Sequence, residues 1–260
     1  MCHTDVPAGQ TTPVVDRTEI HVPLANGESM PGTLFTDGRE GPGVLVVADI
    51  HGPSPFYASL AARLAGAGYT VLLPDYFFRQ GPTAGPEIEA AFARRGKLDE
   101  EQTLRDLDDA CGWLAGRTGG ARVGSVGFCM GGTFTLDLAS ARSGMVTVAY
   151  YGFPVPQATI VSPPPRPMDV VGNQRGPVLA FWGEEDHGVG LDHVRTYTGL
   201  AEKANPEFSY EILPGLGHGF LAKAKIDDHT DPGGRTWHRV LHLFDAHLRD
   251  ATNEPRGASK

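Results

Sequence analysis

The chain has 260 residues, an apolar fraction of 40% and a net charge of −9. That acidity argues against nucleic acid or an anionic membrane surface as a general partner, since both demand a positive face. The three cysteines, Cys2, Cys111 and Cys129, are too few and too scattered for a disulfide framework, and no paired Cys/His spacing suggests a metal site.

Residues 1–17 read as a loose arm. Residues 18–24 alternate as a strand should, Asn26-Gly27 is a strong turn signal, and 29–35 suit a return strand, so a hairpin is expected at one sheet edge. GVLVVA at 43–48 is a continuous β-branched run, as in a strand covered on both faces. Residues 55–66 have helical spacing and stop at Gly66 and Gly68. A strand over 69–73 ends at Pro74, and a loop follows that holds Tyr76, Phe77, Phe78 and Arg79. Helices are predicted over 87–95 and 100–114, then a strand over 121–126 and a helix over 133–142.

Residues 145–150 give another strand. The proline-rich stretch 154–176 reads as an irregular excursion, either a cover for a site or plain surface. A strand over 178–182, a helix over 190–203, a strand over 208–213 and a helix over 236–248 complete the series, with a frayed tail over 251–260. Strands alternate with helices after the hairpin. That pattern predicts an α/β fold, one domain over 18–250, with about eight mostly parallel strands and helices on both faces. The first residues lack the apolar core of a signal peptide and no window approaches a membrane span, so a cytoplasmic protein with reduced thiols is expected.

The segment Gly127-Phe128-Cys129-Met130-Gly131-Gly132 lies between a predicted strand and a predicted helix. A Gly-x-nucleophile-x-Gly turn in that context is a nucleophile elbow, here with cysteine at its centre. A buried structural cysteine is the usual reading of a lone position; this context reverses it. Parallel α/β sheets place their sites beyond the carboxyl ends of the strands. The polar residues there are Asp49, His51, Asp75, Cys129, Tyr150, Tyr151, the 184–187 group and His218. Asp186 and His218 follow Cys129 in the order acid, base that the α/β-hydrolase arrangement uses. Glu184 and Glu185 compete with Asp186, while His187 and His193 are weaker bases because neither follows the final strand.

The oxyanion hole needs two backbone N–H groups. Met130 and Ile50 are the expected donors. Asp49 could control the protonation of the thiol, or serve as a cap or ion-pair partner. Arg79 has the planar fork to clamp a substrate carboxylate, with Phe78, Tyr150, Tyr151 and His51 as further pocket candidates.

Together these residues resemble the dienelactone hydrolase (carboxymethylenebutenolidase) family of the α/β-hydrolase superfamily. The resemblance runs from about Gly43 to the last helix and rests on the cysteine elbow, Pro74-Asp75-Tyr76-Phe77-Phe78-Arg79-Gln80, Tyr150-Tyr151-Gly152, the 183–187 segment and Gly217-His218-Gly219-Phe220. It implies Cys129 as nucleophile, His218 as base and Asp186 as its partner, with a thioester intermediate. It implies that Asp49 stands where the family has a glutamate acting on the resting thiol, and that Arg79 matches a carboxylate-binding arginine. The family's second such arginine has no counterpart; Leu221 and Ala222 occupy that neighbourhood. The substrate implied is a small ester or lactone, anionic where a carboxylate clamp exists, with no metal or organic cofactor and a monomer or homodimer as the assembly. Two other readings share the fold: an enzyme acting on a larger cyclic substrate with or without net hydrolysis, and a non-catalytic binding protein.

Overall fold

The computed structural model describes residues 5–7, 10–85, 87–120, 122–156 and 166–249. The tail 251–260 lies outside these residues, as do parts of the arm and the middle of the proline-rich excursion. The strands are β1 (Asp16–Pro23), β2 (Ser29–Thr36), β3 (Gly43–Val47), β4 (Thr70–Pro74), β5 (Val123–Phe128), β6 (Met145–Tyr150), β7 (Val178–Gly183) and β8 (Phe208–Leu213). They form one eight-stranded sheet in the order β1-β2-β4-β3-β5-β6-β7-β8. β1 pairs antiparallel with β2, and β2 antiparallel with β4, so the predicted hairpin forms the sheet edge. All remaining pairs are parallel.

The helices are α1 (Pro55–Gly66), α2 (Ile88–Arg95), α3 (Glu100–Thr118), α4 (Met130–Ala141), α5 (Pro167–Val170), α6 (Leu191–Ala204) and α7 (Pro232–Phe244). Their ends follow local chemistry. Asp99 caps α3 by accepting from the Gln102 N–H, and Asp231 caps α7 by accepting from the Gly234 N–H, both at 2.9 Å. Pro55 opens α1, where a missing N–H costs nothing. α6 buries Val194, Tyr197, Thr198 and Ala201, a stripe at helical spacing. Every residue of β3, β4, β5, β6 and β7 is buried, as expected for strands covered by helices on both faces.

The chain leaves β3 for β4 on one side and returns across it to β5 on the other. The carboxyl ends of β3 and β5 are thereby neighbours, with Val47 opposite Gly127. In open α/β sheets that reversal of strand order is where a crevice forms.

The proline-rich excursion corrects one expectation. Its return half is regular: Arg166 leads into α5 and a 3-10 turn over Val171–Asn173. Arg166 is 2% exposed, and its guanidinium pairs with Glu100 at the start of α3 at 2.5 Å. Prolines punctuate a chain, but Pro167 sits in the first turn of α5, the one helical place that tolerates it.

Beside that pair lies Asp137, on the inner face of α4 and 2% exposed. Neither carboxyl oxygen has a hydrogen-bond partner among the described residues. Burial pushes its pKa well above the usual carboxylate range; Arg166 opposes the shift, while Glu100 and Asp169 add to it. A carboxyl with a raised folded-state pKa contributes stability that is intact below its unfolded pKa and lost as pH rises toward the folded value. Asp137→Asn is therefore expected to gain stability over the parent by about 1.4 kcal/mol per pH unit across that window. Urea unfolding of both proteins from pH 4 to pH 8 measures it. A stability difference that does not change with pH would show that Asp137 is already ionised in the fold.

Candidate active site

The elbow is built by the close approach of three elements. Cys129 follows β5 and precedes α4 with φ 56° and ψ −117°, in a region that non-glycine residues seldom occupy. Two glycines make this possible. A Cβ on Gly127 would lie 2.1 Å from the Gly131 carbonyl oxygen, and one on Gly131 would lie 2.2 Å from that of Val47. The strained turn lifts Cys129 to the first turn of α4. Met130 is the first helical residue, so its N–H has no acceptor in a preceding turn, and the helix N-terminus favours negative charge beside it. Cys129 is 5% exposed.

Asp186 and His218 meet. His218 Nδ1 lies 2.7 Å from Asp186 Oδ2. Asp186 Oδ1 accepts from the N–H groups of Gly188 and Val189, both at 3.1 Å, and the residue is 4% exposed. A carboxylate so held directs the Nδ1–H of the imidazole and leaves Nε2 as the basic nitrogen. Glu184, Glu185, His187 and His193 are all exposed, which separates them from this pair. The β7 and His218 loops come together because Gly183 has no side chain: a Cβ there would stand 2.2 Å from the Leu216 carbonyl oxygen.

Tyr151 links the two halves. Its ring centroid is 6.4 Å from that of Phe128 and 5.0 Å from that of His218. It too has a positive φ, 42°, directly after β6. Phe153 also meets the histidine, with its ring 5.6 Å away. Nothing in the local spacing of Phe153 or Arg94 marks either residue in the sequence.

The loop after β3 lies against the elbow: a Cβ on Gly131 would stand 2.3 Å from the Ala48 carbonyl oxygen. The Gly52 N–H donates to the Asp49 carbonyl at 2.9 Å, and the His51 N–H donates to Asp49 Oδ1 at 2.8 Å. Ile50 is 2% exposed, and its carbonyl accepts from Arg94 Nη2 at 3.2 Å. Arg94 also lies 4.0 Å over the Phe77 ring and donates to the Gly81 carbonyl at 3.3 Å. Burial lowers its pKa, against the attraction of Asp75, Tyr76 and Asp49. Tyr76 is fully buried under the same loop. Its hydroxyl is 2.8 Å from the Ala48 carbonyl oxygen and 2.7 Å from that of Asp49.

Two expected pocket residues point elsewhere. Tyr150 is fully buried, stacks on Phe128 with ring centroids 5.2 Å apart, and meets Thr236 Oγ1 at 3.1 Å. Its side chain packs the sheet against α7, and burial drives its hydroxyl pKa upward. Arg79 is committed to two carboxylates: Nη1 pairs with the fully buried Asp106 at 2.5 Å, and Nε with Glu28 at 2.9 Å. The buried Asp106 needs a cation, and Arg79 supplies it while lying 4.4 Å over the ring of Phe78.

Known proteins agree with this architecture. The profile described as the dienelactone hydrolase family matches residues 30–248. The carboxymethylenebutenolidase of Rhodococcus opacus is 31% identical over 95% of this chain and 98% of its own length. Carboxymethylenebutenolidase 2 of Cupriavidus pinatubonensis is 34% identical over 88% of this chain and 91% of its own. A crystal structure from Klebsiella pneumoniae, provisionally named a dienelactone hydrolase, superposes with a TM-score of 0.77 at 28% identity, covering 89% of this chain and 98% of that one. With the cysteine elbow at the carboxyl end of β5 and the profile spanning most of its length, this chain belongs to the dienelactone hydrolase family.

Proposed function

We propose that the protein hydrolyses a small ester or lactone by covalent catalysis, with Cys129 as nucleophile, His218 as base and Asp186 as the group that orients it. The observation that carries this reading is the 2.7 Å Asp186–His218 contact on the loops that flank the Cys129 elbow. His218 takes the thiol proton as sulfur attacks the carbonyl carbon, and the N–H groups of Met130 and Ile50 hold the oxyanion. The intermediate collapses by breaking the acyl C–O bond. The alcohol or enol leaves with a proton from His218, and a thioester remains on Cys129. Water then gives a proton to His218 and attacks the thioester, releasing the acid and the thiol.

The names of the two relatives make a dienelactone-type lactone a candidate substrate. The ion pairs of Arg79 and the apolar Ala222 support a substrate whose binding does not depend on a carboxylate. Among the described residues no helix is long and apolar enough to cross a membrane.

The test uses the chemistry of the thiol. Acid-quenched samples taken during turnover of an activated aryl ester are expected to show the acyl mass on the peptide containing Cys129. Prior carbamidomethylation of that residue is expected to abolish turnover of aryl ester and dienelactone alike. Hydrolysis that continues at the parent rate after complete modification of Cys129 would overturn the reading. A parallel comparison of aryl acetate with dienelactone decides whether a carboxylate matters.

A further inference from the structure

The peptide unit joining Asp49 to Ile50 has its carbonyl on one side and the Ile50 N–H on the other. That N–H is one of the two oxyanion donors in the reading above, on which this inference rests. The carbonyl of the same unit is held from behind by two donors. One is the Gly52 N–H at 2.9 Å, which closes the turn. The other is the hydroxyl of Tyr76, 2.7 Å from the Asp49 oxygen and 2.8 Å from the Ala48 oxygen, so its single proton is shared between consecutive carbonyls. We propose that Tyr76 is a positioning residue of the oxyanion hole, fixing the 49–50 peptide so that the Ile50 N–H is already aimed and polarised before charge develops on the substrate.

One principle and two observations support the assignment. First, hydrogen bonds in series reinforce one another. A donor on the carbonyl of an amide draws electron density from its nitrogen and makes the N–H a better donor. Second, the ring cannot turn away. Tyr76 is fully buried, with Phe77 at 4.7 Å on one face and Phe134 of α4 edge-on at 5.8 Å. Third, the hydroxyl stays a donor. Burial, with Asp49 and Cys129 close enough to add to the effect, holds its pKa well above that of an exposed tyrosine. Tyr76 thus spans from the loop after β4 to the loop after β3, and through Phe134 to the helix that presents the nucleophile. Arg94, on the Ile50 carbonyl, fixes the next peptide of the same loop.

Tyr76→Phe removes the hydroxyl and keeps the ring. Removing a direct oxyanion donor typically costs 100- to 1000-fold in kcat. Losing the group behind the donor is expected to cost about tenfold in the acylation rate, with KM nearly unchanged. The discriminating measurement sets two reactions of Cys129 side by side. Acylation by an activated aryl ester develops an oxyanion; alkylation by iodoacetamide is a displacement that develops none. In the Tyr76→Phe protein acylation should fall about tenfold while the alkylation rate stays at the parent value. Site-specific 3-fluorotyrosine at position 76, which retains the hydroxyl, should keep the parent ratio of the two rates. An unchanged ratio in Tyr76→Phe overturns the inference. So does a parallel fall in both rates, which would place the effect on the thiol or the fold. The test is separable from that of the nucleophile: if carbamidomethylated parent still turns over ester, the Cys129 reading fails whatever Tyr76→Phe does.

Discussion

Cys129→Ala is expected to lower kcat/KM for an activated aryl ester by about ten-thousandfold, or roughly 5 kcal/mol of transition-state stabilisation. In the proposed mechanism the elbow thereby loses the atom that forms the acyl bond. What remains is the proposed oxyanion hole and a histidine with no nucleophile to deprotonate, which can assist water only weakly. The fold should not notice. Cys129 is a small side chain, 5% exposed, and alanine has the same Cβ at the same left-handed φ of 56°. Thermal unfolding of the variant should fall within a few degrees of the parent. Ester hydrolysis by Cys129→Ala at the parent rate would assign the chemistry to another residue.

The second large effect concerns the fold. Arg166→Met is expected to destabilise the protein by about 3–5 kcal/mol, roughly 10 °C in Tm for a chain of this size. The substitution leaves the Glu100 carboxylate in place, with a side chain 3% exposed. Its remaining cation is Arg95, at 3.5 Å. Asp137 loses the cationic neighbour that, among the described residues, opposes its raised pKa. An ionised carboxylate stripped of its partner in a dry environment costs far more than the pair contributes when intact. The double variant Arg166→Met/Glu100→Gln should recover most of the loss, because the charge is then removed with its partner. Urea unfolding of the parent, the two single variants and the double variant gives the coupling directly. A single variant within 1 kcal/mol of the parent would mean that water already solvates Glu100.

The sequence was most informative where local pattern and global fold coincide. Gly127 and Gly131 of the elbow are required because a Cβ on them would lie 2.1 Å and 2.2 Å from backbone carbonyl oxygens, and both are legible because each lies within the turn it serves. The strand-helix alternation gave the sheet for the same reason. Direction and partnership were less legible. Tyr150 ends a strand that is buried throughout, so no polar alternation marks which face its side chain takes. Arg79 looked available because its partners, Glu28 and Asp106, lie on the hairpin turn and on α3, distant in sequence and brought near only by the fold. Arg94 sits in a short helix with Arg95 beside it, and nothing local distinguishes the arginine that folds under the loop after β3. Tyr76 can be located on an aromatic loop, but the two carbonyls its hydroxyl meets belong to another loop, the one after β3.

The adjacency of β3 and β5 has a consequence for how the molecule acquires activity. The proposed nucleophile rides on β5 and α4, while the proposed Ile50 donor and Tyr76 brace belong to the loops after β3 and β4. The two groups become neighbours only when β3 pairs with β5, a long-range parallel contact with three α-helices and a strand threaded between its partners. Such pairings close slowly, since the chain loses much entropy before the contact returns any stabilisation. A partly folded chain can contain the elbow and present a reactive thiol while having nowhere to place the oxyanion. During refolding, thiol reactivity and ester turnover are thus separate clocks: one times a local turn, the other the closing of the sheet.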